Sequence, residues 1–251
     1  MKKLISIILI IALSASSLAC SNLDPYAAGD GKGESSYNPS SANETESAME
    51  DEKKNKDGVD VFFDARKKTD SLAKIEYLTK VYSKQGTGEL APKESIDMRT
   101  VITSRDTKNP KFTIEGNVKT SKATLSLVLK YAAGVLYING DKKTTEEKTT
   151  FEKALKDNDV LYDLKQQLKK ETIDTCKLVE NADGTKVISV TFKMEINKQE
   201  TNGTDEVIID ADGIIVSEAL NLSAKDKDGV ITAQSVEYTL IGTGKEVKDI
   251  K

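Results

Sequence analysis

The chain has 251 residues, 31% of them charged and 37% hydrophobic, which is a polar, soluble-type composition once any targeting segment is set aside. Its net charge of −4, a mildly acidic balance, argues against a nucleic-acid partner, which rewards clustered Lys and Arg. It contains no His and no Trp, so the commonest general base and metal ligand is missing and most hydrolytic mechanisms go with it. The expectation is a protein that is not an enzyme and carries no cofactor or metal.

Lys2 and Lys3 form a short positive region ahead of an apolar run, Leu4 to Leu13. At roughly ten residues that run is too short to span a bilayer, and it reads as the core of a signal peptide. It ends in Ser14, Ala15, Ser16, Ser17, Leu18, Ala19 and Cys20. These small residues before a Cys resemble the lipobox of bacterial lipoprotein precursors. The resemblance implies cleavage between Ala19 and Cys20, acylation of the Cys20 thiol, and retention on a membrane, because two or more acyl chains anchor stably where one is marginal. The usual pattern places Leu three residues before the Cys, whereas here that place is Ser17 and the Leu is Leu18. The alternative is ordinary secretion with cleavage near Ala15 or Ala19. Loss of Lys2 and Lys3 makes the mature chain two units more acidic.

Residues 20–57 follow as the expected lipidated Cys and tether. Ser21 to Asp57 is rich in Ser, Gly, Asn, Asp, Glu and Lys and poor in aliphatic residues. Such a segment buries too little apolar surface to offset its ordering entropy and reads as disordered. As a flexible coil it spans roughly 35 Å, which holds the folded part clear of lipid headgroups. With Cys20 assigned to lipid, Cys176 has no disulfide partner, and a lone Cys among Thr172 to Leu178 reads as a small packed hydrophobe.

From Gly58 the apolar residues become periodic, and residues 58–251 are expected to form one domain. Val59, Phe62, Phe63 and Ala65 have helical spacing and predict an N-terminal helix to about Ala73. Strands follow at Ile75 to Lys84, Ser95 to Ser104, Lys111 to Thr120, Thr124 to Tyr131 and Val135 to Asn139, with a turn at Ala132-Ala133-Gly134. Thr149 with Glu152 has the spacing of a capping box and predicts a helical segment. Its apolar stripe is Phe151, Ala154, Leu155, Leu161, Leu164 and Leu168, and Asp157-Asn158-Asp159 is a place where it splits in two. Strands resume at Thr172 to Val179, Lys186 to Asn197, Glu206 to Asp210, Ile214 to Ser223 and Val230 to Gly242. Three Asp-Gly turns separate them, ending at Gly184, Gly213 and Gly229. The fold class is therefore α+β, with an antiparallel sheet.

Asp226-Lys227-Asp228-Gly229-Val230-Ile231-Thr232 has the middle of an EF-hand calcium loop, but the first and last ligand places hold Ala224 and Ser235. A hairpin turn accounts for the same residues. No Gly-x-Ser-x-Gly, Walker-type or Cys-x-x-Cys motif is present.

The order lipobox, polar tether, helix, strands, mid-chain helix and further hairpins carries one more likeness. The hairpin from Leu129 through Lys130-Tyr131-Ala132-Ala133-Gly134-Val135-Leu136-Tyr137-Ile138-Asn139-Gly140 to Asp141-Lys142-Lys143 completes it. The chain resembles the LolA/LppX-like lipoproteins, in particular uncharacterised Gram-positive members. That resemblance implies a curved antiparallel sheet, an incomplete barrel, with an N-terminal helix and a mid-chain helical segment packed on its concave face. It also implies a hydrophobic or lipid-like ligand on that face, lined by Phe112, Ile114, Leu125, Leu127, Leu129, Phe192 and Met194, or else a filled core made of the same residues. The stripe residues Phe151, Leu155, Leu161 and Leu164 decide between the two. The expectation is an extracytoplasmic, membrane-anchored binding module. The alternative is a surface adhesin or envelope protein-interaction lipoprotein that takes no small ligand.

Overall fold

The computed structural model describes residues 44–139, 144–196 and 199–250, and the expected signal peptide and Cys20 lie outside them. A long helix, α1 (Glu44–Asp70), leads into six strands: β1 (Ile75–Gly86), β2 (Ala91–Thr103), β3 (Lys111–Thr120), β4 (Thr124–Ala132), β5 (Val135–Asn139) and β6 (Thr144–Lys148). Two short helices, α2 (Phe151–Asn158) and α3 (Val160–Gln167), precede β7 (Ile173–Glu180), β8 (Lys186–Ile196), β9 (Gln199–Ile209), β10 (Ile215–Lys225) and β11 (Ile231–Thr243). The fold is α+β, built on one curved antiparallel sheet that does not close into a barrel.

The eleven strands run in the order β6-β5-β4-β3-β2-β1-β11-β10-β9-β8-β7. Each half is a meander of hairpins, and the halves join where β1 pairs with β11 from Ile75↔Thr243 to Gly86↔Ile231. Tight turns make the meanders possible. Gly184, Gly213 and Gly229 sit at φ of 83°, 75° and 80°, a region open to glycine without steric cost. The Asp of each turn is occupied as well: Asp210 Oδ1 accepts from Ile214 N at 2.8 Å, and Asp226 Oδ1 accepts from Val230 N at 2.9 Å. The apparent calcium loop is thus a hairpin turn whose first carboxylate is engaged by its own backbone.

Side chains alternate along the strands, as in β8, where Ile188, Val190, Phe192, Met194 and Ile196 are buried and the residues between them are exposed. The inward residues of both halves merge with those of the helices into one core. At the sheet's ends, β6 is short and polar and β7 is covered by α1, two ways of blunting an edge.

Four elements depart from the sequence expectation. α1 begins at Glu44, so residues 44–57 of the expected tether are helical. That stretch has four Glu and three Lys, which favour helix without supplying an apolar face. Gly58, taken as the domain's start, lies within α1, where an added Cβ would stand 2.8 Å from Cys176 Sγ: it marks a close crossing of α1 over β7. α2 is capped by Thr150, whose hydroxyl accepts from Lys153 N at 3.3 Å, one residue later than the Thr149 and Glu152 box. β6 was not foreseen, and β9 begins seven residues before its expected start at Glu206. The expected division is present, with Asp159 separating α2 from α3.

Candidate functional site

The concave face is the surface on which this fold concentrates its apolar residues. On β3 and β4 it presents Phe112, Ile114, Leu127, Leu129 and Tyr131, all buried, and on β8 it presents Phe192 and Met194, also buried. Leu125 belongs to the same alternation but lies at the rim of β4 and is 42% exposed. Phe192 lies across the bare backbone of Gly203 on the neighbouring strand, where any side chain would collide with its ring. The sequence candidates thus fall on both sides of the central β1–β11 pair, five on β3 and β4 and two on β8.

Helices α2 and α3 cover the face. Phe151 of α2 stacks edge-on with Phe112 and Tyr131 at centroid separations of 5.8 and 5.7 Å, and Phe112 and Tyr131 lie nearly parallel at 5.4 Å. The whole stripe Phe151, Leu155, Leu161 and Leu164 is buried. Beside α3, a cavity of about 20 Å³ remains, lined by Thr69, Asp70, Tyr77, Arg105, Asp159 and Lys165 among others. That is space for a single water. Drug-sized ligands need roughly 300 Å³ or more, so an apolar ligand reaches the surface beneath α2 and α3 only if these helices move; a separate open groove of about 470 Å³ lies away from them, at Tyr82, Leu90, Asn202, Asn221 and Ser235.

The cover is fastened by polar side chains that the apolar pattern did not reveal. Asp159 caps α3 by accepting from Tyr162 N at 3.0 Å, and its other oxygen accepts from the Tyr77 hydroxyl on β1 at 2.5 Å and from Thr100 on β2 at 3.3 Å. Burial, reinforced by the Asp159 charge, drives the Tyr77 hydroxyl well above its ordinary range, so it remains a donor. Farther along, Arg66 Nη2 of α1 lies 2.5 Å from Asp205 Oδ2 on β9 and 2.5 Å from Glu218 Oε1 on β10. Lys165 Nζ of α3 lies 2.9 Å from Glu218 Oε2 and 4.8 Å from the centre of the Tyr238 ring. All four charged side chains are at most 6% exposed. Thr69 of α1 adds a neutral tie, its hydroxyl accepting from Ile215 N at 2.9 Å.

Removing two carboxylates from water costs several kcal/mol each, so the cluster is a positioning device and a poor source of net stability. Burial opposes ionisation of both acids. At Glu218, Lys165 and Arg66 outweigh it and hold the carboxyl below its ordinary value. At Asp205, burial and then the neighbouring Glu218 prevail, and the carboxyl is pushed up to about 8.

The sequence held one trace of this cluster. Glu218 stands two residues before Leu220, in the alternation Glu218, Leu220, Leu222, Ala224, and so on the inward face of its strand. Arg66, Asp159 and Lys165 were hidden, because polar residues on helices and at helix starts are ordinary. Cys176, half-buried on β7, has its thiol pushed up to about 11 by burial, which suits a packed side chain more than a nucleophile.

No family model matches the chain, and no curated protein matches it. Among solved structures, its fold is similar to LprF from Mycobacterium bovis, at 14% identity and a TM-score of 0.44, covering 78% of this chain and 97% of that one. It is also similar to a DUF1329 family protein from Desulfovibrio piger, at 10% identity and a TM-score of 0.31, covering 76% and 95%. A LolA superfamily protein from Nitrosomonas europaea is similar at 7% identity and a TM-score of 0.28, covering 75% and 96%. The last carries the name of the group that the sequence resembles.

Proposed function

We propose that this chain is a non-catalytic, membrane-anchored extracytoplasmic lipoprotein that binds a hydrophobic or lipid-like ligand on its concave sheet face. The observation that carries the reading is the cover: a large apolar face is closed by two helices of eight residues each, seated through a few polar side chains. The ligand reaches Phe112, Ile114, Leu127, Leu129, Phe192 and Met194 when α2 and α3 lift, with Leu125 at the mouth. No helix among the described residues is long and apolar enough to cross a membrane. In this reading the attachment is made by acyl chains on Cys20 after loss of residues 1–19, and residues 20–43 form the tether ahead of α1.

The experiment is native mass spectrometry of the protein purified from cells, with membrane fractionation of a Cys20→Ser variant beside it. Co-purifying lipid supports the binding reading, and release of the variant from membranes supports the anchor. A ligand-free mass favours the second reading, a surface adhesin or envelope interaction protein with no small ligand. That reading draws on the complete burial of Phe151, Leu155, Leu161 and Leu164 in the closed face.

A further inference from the structure

We propose that the outer face of the sheet carries a second binding site, a trough across β7, β8, β9, β10, β11 and β1 that takes an extended, uncharged polysaccharide chain. It lies on the side of the sheet opposite the helical cover, and it stands whether or not the concave face holds a ligand.

Strand register places the trough. Thr175, Thr191, Thr204, Asn221, Ser235 and Tyr82 are paired in turn across the six strands, so they form one row running across the sheet. Each stands at an outward place in its strand; Ser235 is half-buried and the others are exposed. Six adjacent strands make the row about 24 Å long. Two hollows lie along it. One, of about 470 Å³, runs from Tyr82 and Leu90 to Asn202 and Thr204. The other, of about 410 Å³, runs from Asn221 to Thr175 and Lys177, and Thr204 and Asn221 line both. Each has the size of a small-molecule site, roughly 300–1,000 Å³.

The composition of the row is unlike that of its flanks. One flanking row holds Lys177, Glu206, Glu237 and Lys80, and the other holds Lys193 and Lys84, the usual charged residues of a solvated sheet face. Between them the six residues of the trough carry no charge, only hydroxyls, an amide and an aromatic ring. Strand propensity accounts for the threonines. It does not account for Asn202 and Asn221, which lie on strands paired on both sides, where Asn is disfavoured. Thr175 and Thr191 bond to each other at 2.7 Å. Among the described residues, the side chains of Asn202, Thr204, Asn221 and Ser235 bond to no protein group, so they are open to a ligand.

This chemistry selects the class of partner. An acyl chain laid in the trough would leave buried hydroxyls and amides unpaired, at a cost for each. A polyanion would call for cations along the row, where there are none. A pyranose chain answers both features: its hydroxyls pair with Asn and Thr, and the C–H face of a sugar ring lies on Tyr82, whose side chain is 39% exposed beside Leu90. The units of a β-linked chain follow one another at nearly the spacing of strands, so successive sugars meet successive residues of the row. At its far end the trough reaches β7, the last strand of the sheet, where a longer chain can run on.

The test is titration of the full-length protein with the β-1,4-linked pentasaccharides of glucose and of N-acetylglucosamine, followed by calorimetry and by amide chemical shifts. At least one is expected to bind saturably, with shifts gathered at residues 82, 175, 191, 204, 221 and 235. Tyr82→Ala is expected to weaken binding roughly tenfold or more, and Asn221→Ala several-fold. Tyr82→Phe keeps the ring and is expected to stay within about threefold of the wild type. Both positions are exposed, so the variants retain the fold. Failure of both sugars to saturate, shifts gathered elsewhere, or an affinity unchanged in Tyr82→Ala overturns the site. Tighter binding of a uronic-acid pentamer overturns the uncharged partner. Co-purifying lipid, or its absence, bears on the concave face alone and leaves this result standing.

Discussion

Ala133 occupies a backbone position that its side chain disfavours. In the two-residue loop joining β4 to β5 it has φ of 50°, followed by Gly134 at 79°, so both loop residues are left-handed, as a tight hairpin requires. An L residue with a Cβ gives up about 1–2 kcal/mol there, and Asn, whose short amide bonds locally, gives up less. Ala133 is exposed and Gly134 has open space around its Cα, so nothing in the surroundings opposes a larger side chain. Ala133→Asn is expected to raise the unfolding free energy by about 0.5–1 kcal/mol, seen as a higher urea midpoint at unchanged slope. An unchanged or lower midpoint contradicts the turn geometry. Asp159 is the opposite kind of residue: its side chain is fully used, by the α3 backbone, Tyr77 and Thr100, and nothing smaller can replace it.

At the scale of elements, Asp159 is the elbow of the cover. Asp159→Ala removes the N-cap of α3, worth about 1 kcal/mol, and leaves the buried Tyr77 hydroxyl without its acceptor, worth about 1–3 kcal/mol more. The opening free energy of α2 and α3 should fall by about 2–4 kcal/mol, read as faster amide exchange confined to residues 151–168. Exchange that accelerates equally throughout the sheet contradicts a separable cover. Elements of this kind were only partly legible in the sequence. Strands with an apolar inward face, such as β3 and β4, declared themselves through period-two alternation, and the Asp-Gly turns fixed the second meander. β9 hid because Thr201, Gly203 and Asp205 stand at its inward places, the glycine yielding room to Phe192 and the acid to the ion cluster. β6, all Thr, Glu and Lys, has no apolar face to display. The start of α1 hid for the reverse reason: its residues favour helix by propensity, which a reading based on apolar content does not weigh.

For the whole molecule, the closed face sets the energetics of ligand uptake. A binding face that is exposed only in a minor open state has an apparent affinity reduced by the fraction of molecules that are open. The same interactions that seat α2 and α3 therefore work against the ligand, and weakening them strengthens binding until the open state predominates. Asp159→Ala serves as the probe, because it loosens the cover without enlarging the apolar space beneath it. A shift of about 2–4 kcal/mol in the opening equilibrium corresponds to an affinity gain of roughly 30-fold or more for a long-chain fatty acid, limited by the initial open fraction. Tryptophan is absent from the chain, so the titration is followed by calorimetry or a fluorescent acyl probe. Tighter binding in a variant that unfolds at lower urea is the signature of a cover competing with its ligand. A variant that is merely less stable, with affinity unchanged or reduced, identifies α2 and α3 as fixed parts of a filled core.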